Sequence, residues 1–363
     1  MGASACASRP RLGSVLYVFT FLAYPGSEMS KRKTTPVREI ARVLVADRGS
    51  ATSGELAEAA GVTRQAAHYH LSRMVGHGEL RRLGAGRGSR YELEANLDRR
   101  YPLGGLQEDL VWTEVERDLE PIATTRPNGR EIFRYAFTEM LNNAIDHSGG
   151  TEARVRVWIR DAFVFEILDD GVGAFRHVRE RLGLQDDLAA LQQLIKGRET
   201  TAPDRHTGEG IFFTSKAVDR FELDANRLRW IVDNDRSDIA LGDAPEHPGT
   251  RVRCELDPAT DRTLEEVFAP FVDESFRFER TVVPLAMFET GGRFVSRSEA
   301  KRLGTRLERF REAAIDFDGV DEVGLAFVDE LFRVWAHEHP ETRLVPINMS
   351  PTVERVLERT ISS

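Results

Sequence analysis

Between residues 131 and 218 the hydrophobic period of the chain switches repeatedly between helix and strand, and each switch falls beside a short polar or glycine-rich segment. Glu131–His147 carries Ile132, Phe133, Ala136, Phe137, Met140, Leu141, Ala144 and Ile145 at spacings of three and four, the pattern of an amphipathic helix. Ala153–Arg160 then alternates with period two, turns at Asp161 and continues as Phe163–Leu168, a β-hairpin that runs into Asp169-Asp-Gly171-Val-Gly173. Asp187–Lys196 is helical again. A polar stretch, Gly197–Thr207, reads as a mobile lid, and Gly208-Glu209-Gly210 opens a further helix, Ile211–Val218.

Each segment places a particular chemistry. Glu139 and Asn143 are four apart and so lie on one helix face. There a carboxylate orients water and a carboxamide oxygen ligates Mg²⁺, a hard cation that keeps phosphate and water as its other ligands. Taken alone, such a pair more commonly belongs to a solvated face. Asp169, at a strand end, accepts from an exocyclic amine, while Gly171 and Gly173 let the backbone approach a flat ring. Gly208 and Gly210 at a helix start present N–H groups to phosphate, with the Thr207 hydroxyl and the Lys216 charge nearby.

In this order the three segments resemble the GHKL ATPase superfamily, which includes gyrase, Hsp90, histidine kinases and MutL, and within it the anti-sigma-factor type. The resemblance covers residues 106–257 and implies an α/β sandwich that binds ATP and Mg²⁺. It implies Glu139 as general base, Asn143 as Mg²⁺ ligand, and Asp146 and His147 as the end of the same motif. Asp169 would recognise adenine beside Gly171 and Gly173, Gly208 and Gly210 would meet the phosphates, and Thr250 of Gly249-Thr250 would support the adenine end. Two departures stand out. The phosphate-side helix reads Gly-Glu-Gly-Ile-Phe-Phe, bulkier than the family's small and aliphatic pattern, and residues 94–130 contain no histidine, which argues against a histidine autokinase.

Charge is distributed unevenly. The chain of 363 residues has a formal charge of −9, yet residues 31–93 carry 12 Lys+Arg against 6 Asp+Glu, which points to a polyanionic partner for that part alone. Pro36 opens a helix with Val37, Ile40, Ala41, Val43 and Leu44, Ser53 caps Gly54–Ala60, and Gly61-Val62-Thr63 turns into Arg64–Gly76. A hairpin with a glycine-rich tip, Gly84–Ser89, follows. Residues 31–95 resemble the winged helix-turn-helix domains of bacterial transcription regulators, which implies contact with double-stranded DNA through Arg64, Gln65, His68, Tyr69 and Arg73 of the third helix and Arg82, Arg87 and Arg90 of the wing. A homodimer reading two half-sites is expected.

Residues 281–363 alternate as βαβαβα: strands at Thr281–Phe288, Ala313–Phe317 and Arg343–Ile347, and helices at Ser296–Phe310, Phe327–His337 and Thr352–Thr360. Ile315 to Leu331 resembles a STAS-like domain, which implies docking of a regulatory protein partner. Related antagonists of anti-sigma factors carry a phosphate-accepting Ser at the start of the second helix, where this chain has Gly324, Leu325 and Ala326. Asp329 and Glu330 read as residues that cap or solvate a helix start and not as a catalytic carboxylate pair. Residues 1–30 are expected to be a non-structural extension preceding a start at Met29. Their apolar run Leu12–Tyr24 is too short to span a membrane. Cys6 and Cys254 form neither a zinc spacing nor a disulfide framework, in keeping with a cytoplasmic protein.

The whole therefore reads as a multidomain α+β chain: a winged helix-turn-helix, a GHKL α/β sandwich and a small α/β STAS-like domain. The function expected is an ATP-binding transcription regulator in which ATP-Mg²⁺ binding or slow hydrolysis controls DNA binding. The rivals are a serine kinase acting on a separate antagonist and a non-hydrolysing ATP sensor.

Overall fold

A computed structural model describes residues 37–197, 209–273, 277–288 and 294–361. The extension 1–30, Pro36 and most of the expected lid, with Thr207 and Gly208, lie outside the described residues.

The first core gathers Leu56, Ala67, Leu71, Met74, Leu80 and Tyr91. Three helices, α1 (Val37–Arg48), α2 (Ser53–Ala60) and α3 (Arg64–Gly76), pack on an antiparallel sheet of β1 (Ala51–Thr52), β2 (Leu80–Leu83) and β3 (Arg90–Leu93) in the order β1-β3-β2. The cap of α2 is Thr52 and not Ser53. The extended backbone of Thr52 lets its hydroxyl accept from Glu55 N–H at 3.2 Å, while the Glu55 carboxylate accepts from Thr52 N–H at 2.6 Å. Gly61, in the left-handed region, ends α2, and the Thr63 hydroxyl caps α3 as expected.

The second core begins at Leu97, ahead of the boundary expected at 106. Its sheet has seven antiparallel strands: β4 (Leu97–Pro102), β5 (Glu152–Ile159), β6 (Phe163–Asp169), β7 (Arg220–Ala225), β8 (Leu228–Asp233), β9 (Asp238–Asp243) and β10 (Thr250–Leu256), ordered β4-β5-β6-β10-β7-β8-β9. The connections hold α4 (Glu108–Asp118), α5 (Glu120–Ala123), α6 (Pro127–His147), α7 (Ala174–Leu182), α8 (Asp187–Lys196) and α9 (Gly210–Ala217), with α10 (Leu264–Phe268) after the last strand. Period-two alternation sends Val155, Val157, Phe165, Ile167, Val252 and Cys254 into the helix-covered core, where the apolar stripe of α6 meets them.

The intervening positions carry charge. Arg156, Glu166, Arg253 and Glu222 face one another across β5, β6, β10 and β7. Glu166 is buried, accepting from Arg156 Nε at 2.9 Å and Arg251 Nε at 2.8 Å. Arg251 also reaches Glu222 at 2.6 Å and Asp224 at 3.0 Å. The network extends to the first core: Arg156 lies 3.6 Å from Glu92, and Arg81 bridges Glu92 and Asp98.

The third core holds a parallel sheet in the order β11-β12-β13, formed by β11 (Arg280–Pro284), β12 (Glu312–Asp316) and β13 (Arg343–Ile347). Around it lie α11 (Arg297–Gly304), α12 (Leu325–Val328), which continues through a π-helical turn (Asp329–Trp335) into α13 (Ala336–Glu338), and α14 (Pro351–Ile361). The expected alternation holds, with the first strand and the first helix shorter than expected. β11 stops at Pro284 and gives way to a 3₁₀ turn, Leu285–Phe288. The helix expected over Ser296–Phe310 ends at Gly304, with Arg306 in the left-handed region. Glu330 is buried against Arg297 and Lys301, which corrects its reading as a solvated residue.

Candidate functional site

A cavity of about 270 Å³ opens between α6, α7 and α9 above the ends of β6 and β10. Glu139, Asn143 and His147 line one wall, spaced one helical turn apart. The Asn143 side-chain nitrogen is buried and finds no hydrogen-bond partner among the described residues. At the floor, Asp169 ends β6 at 4% exposure. One of its carboxylate oxygens accepts from Gly171 N–H at 2.9 Å and Thr250 N–H at 3.2 Å. The Thr250 hydroxyl accepts from Ala174 N–H at 2.9 Å and so ties the start of α7 to the same corner. Burial raises the Asp169 carboxyl to about 6, against the opposing pull of those two N–H groups. At neutral pH the floor of the cavity therefore holds a buried carboxylate with spare acceptor capacity, whose described hydrogen bonds come from backbone N–H groups.

Close approach of backbone requires glycine at 171 but not at 210, where the Glu139 side chain can shift. A side chain at Gly171 would collide with the Ser148 carbonyl, and one at Gly210 with the Glu139 carboxylate. Gly173 caps α7. The structure thus brings Glu139, Asn143, His147, Asp169, Gly210 and Thr250 to one cavity.

Other expected members lie elsewhere. Asp146 is exposed and absent from the cavity wall, because one residue along a helix rotates the side chain by about 100° from His147. Lys216 turns toward the C-terminal module: its nitrogen lies 5.7 Å from the Phe212 ring, and Asp316 partly offsets the lowering of its pKa by burial. His177, absent from the expected set, lines the same cavity from α7, beside His147. Its signal was the helix that follows Gly173, whose fourth residue is His177.

On the N-terminal module, α3 exposes Arg64, Gln65, His68, Tyr69 and Arg73 together. Tyr69 is 58% exposed, with the Arg73 guanidinium 5.9 Å from its ring. His68 also meets the Tyr91 hydroxyl at 3.0 Å. The hairpin forms as expected, with Arg82 and Arg90 also bonded within the module. Arg90 donates to the Ser50 hydroxyl at 2.8 Å and its carbonyl at 2.9 Å, and Arg82 donates to the Ser89 hydroxyl at 2.9 Å, so both guanidinium groups hold the hairpin itself. Arg87, in the turn Gly86–Gly88, lies outside the described side chains.

At the other end, residues 299–354 match a family described as a STAS-like domain of unknown function (DUF4325). The C-terminal module is STAS-like. No curated protein matches the chain. The bulky Phe212-Phe213 of α9 packs in an aromatic cluster with Phe278 and Phe310. Phe278 stands 4.8 Å from the Phe212 ring, 4.9 Å from Phe213 and 5.4 Å from Phe310, so Phe278 joins α9 to the STAS-like module. Beside it the buried Lys196 ammonium donates to the Thr305 carbonyl at 2.9 Å, and the Thr281 hydroxyl donates to the Lys196 carbonyl at 2.6 Å. Phe212 and the neighbouring Gly197 also line the cavity. The first turn of α12 has no hydroxyl at Gly324, Leu325 or Ala326, and a Cβ at Gly324 would lie 2.7 Å from the Val295 α-carbon. Among the described residues no helix is long and apolar enough to cross a membrane.

Proposed function

We propose that this protein is a nucleotide-controlled transcription regulator, in which a GHKL-type ATP-Mg²⁺ site governs DNA binding by a winged helix-turn-helix. The observation that carries the reading is Asp169, a buried carboxylate anchored by two backbone N–H groups at the floor of a cavity whose wall presents Asn143 and Glu139. A carboxylate so held accepts from the exocyclic amine of adenine. Asn143 would supply an oxygen ligand for Mg²⁺ one helical turn from Glu139, whose carboxylate would orient water. When bound, Mg²⁺ would neutralise phosphate charge. The exposed face of α3, with Arg64, Gln65, Tyr69 and Arg73, suits base edges and phosphates.

ATP-Mg²⁺ binding and its effect on DNA affinity test the reading together. Wild type binds ATP-Mg²⁺ and changes its affinity for DNA on doing so, whereas Asn143→Ala loses the Mg²⁺-dependent part of both. Indifference of DNA binding to nucleotide, with Asn143→Ala matching wild type, sinks the switch. The second reading, a serine kinase, is favoured only with a separate acceptor, because Gly324, Leu325 and Ala326 offer no hydroxyl. Labelled ATP separates the two, leaving label on a partner protein for a kinase and free phosphate for an ATPase. Glu139→Gln leaves a pure sensor intact and stops either chemistry.

A further inference from the structure

The cavity has an order along its length. Glu139, Asn143 and His147 follow one another on α6 in steps of about 6 Å. Asp169 belongs at the His147 end, because Gly171, two residues beyond it, packs against the carbonyl of Ser148. The interval between the amine-accepting carboxylate and the metal-binding carboxamide is thus bounded by His147 on one wall. Beside it, on α7, stands His177, with its ring centroid 5.9 Å from that of His147.

His177 is held in place from several sides. Its helix is pinned at Ala174 to the Thr250 hydroxyl, at Arg176 to the Asn226 side-chain oxygen at 3.0 Å, and at its own N–H to the Gly173 carbonyl at 3.0 Å. Its Nε2 atom is buried and finds no hydrogen-bond partner among the described residues. A buried polar nitrogen without a partner costs stability, and a ligand that satisfies it recovers that cost on binding. Burial, with Arg181 adding to it, lowers the pKa of the ring and leaves it neutral at pH 7. In the tautomer protonated at Nε2 the ring then donates to an oxygen without carrying charge.

In a nucleotide, the segment between the base amine and the metal-bound phosphates is the ribose with its first phosphate. We propose that His177 binds this sugar-phosphate segment through Nε2 and gives the cavity its preference for nucleotides over the free base. The assignment rests on the nucleotide reading of the cavity.

The test measures binding of adenine, adenosine, AMP and ATP-Mg²⁺ to the full chain as wild type, His177→Ala and His177→Gln. His177→Ala loses about tenfold in affinity for AMP and ATP-Mg²⁺ while adenine binds as before, the loss expected for one hydrogen bond to a charged or strongly polar group. His177→Gln, whose amide nitrogen reaches the position of Nε2, recovers most of it. A loss that begins with adenosine assigns the contact to the ribose, and one that begins with AMP assigns it to the phosphate. Equal weakening of adenine, or nucleotide binding by His177→Ala equal to wild type, overturns this assignment while leaving the nucleotide reading in place. Failure of the wild type to bind any adenine compound overturns both.

Discussion

Glu166 and Asp169 sit three residues apart on one strand, on opposite faces of the seven-stranded sheet, and their environments push them in opposite directions. Both are buried. Burial alone would raise the Glu166 carboxyl, but Arg251 and Arg156 outweigh it and hold the group at about 2. Asp169 meets two N–H groups and no arginine, and its carboxyl is raised to about 6. The outer face is thus a matched network running from Arg81 on the N-terminal module to Arg229 on β8, where Arg229 Nε donates to Asp224 at 2.8 Å. The inner face ends in one carboxylate kept ionised at a cost. Balanced buried charge serves the fold, and unbalanced buried charge marks the site.

Glu166→Gln breaks this contrast most severely. It leaves Arg156 and Arg251 buried with their central anion removed, and should cost about 3–5 kcal/mol in denaturant unfolding. Acid treatment of the wild type probes the same group. Its folded value of about 2 lies below the ordinary 4.5, so its contribution is present above pH 4.5 and is lost as pH falls through about 2. That loss should amount to about 3 kcal/mol in unfolding measured across the range.

Asp169→Asn should act in the opposite direction. The folded value is raised from 3.8 to about 6, so the ionised carboxylate destabilises the protein above pH 6 and does not below pH 3.8. The amide keeps an oxygen for Gly171 and Thr250, and thermal unfolding at pH 8 should show a gain of about 2–3 kcal/mol that disappears toward pH 4. Arg81→Met, at the partly exposed rim of the network, has the smallest expected effect. It should cost about 1 kcal/mol at low ionic strength and less in high salt.

The parts of this contrast differ in how far the sequence discloses them. The stripe of α6 and the alternation of β5 and β6 are local periodicities, and they place Glu139, Asn143 and Asp169 before any tertiary contact is known. β7 carries the same kind of signal, with Phe221 and Leu223 alternating with Glu222 and Asp224. The partners of charged residues were hidden for another reason. Nothing local says that Arg90 turns inward to Ser50, or that Lys216 turns away from the cavity to the STAS-like module. Phe212 and Phe213 departed from the expected small residues because their neighbours, Phe278 and Phe310, are distant in sequence. His177 has no sequence signal of its own, because the pattern stops at Gly173, whose carbonyl accepts its N–H.

Calorimetric titration of the full chain with ATP-Mg²⁺, wild type beside Asp169→Asn, tests the central claim most directly. The account predicts saturable binding at one site in the wild type and loss of that binding in a variant that unfolds at a higher temperature. Equal binding by the two proteins, or none by the wild type, would contradict it.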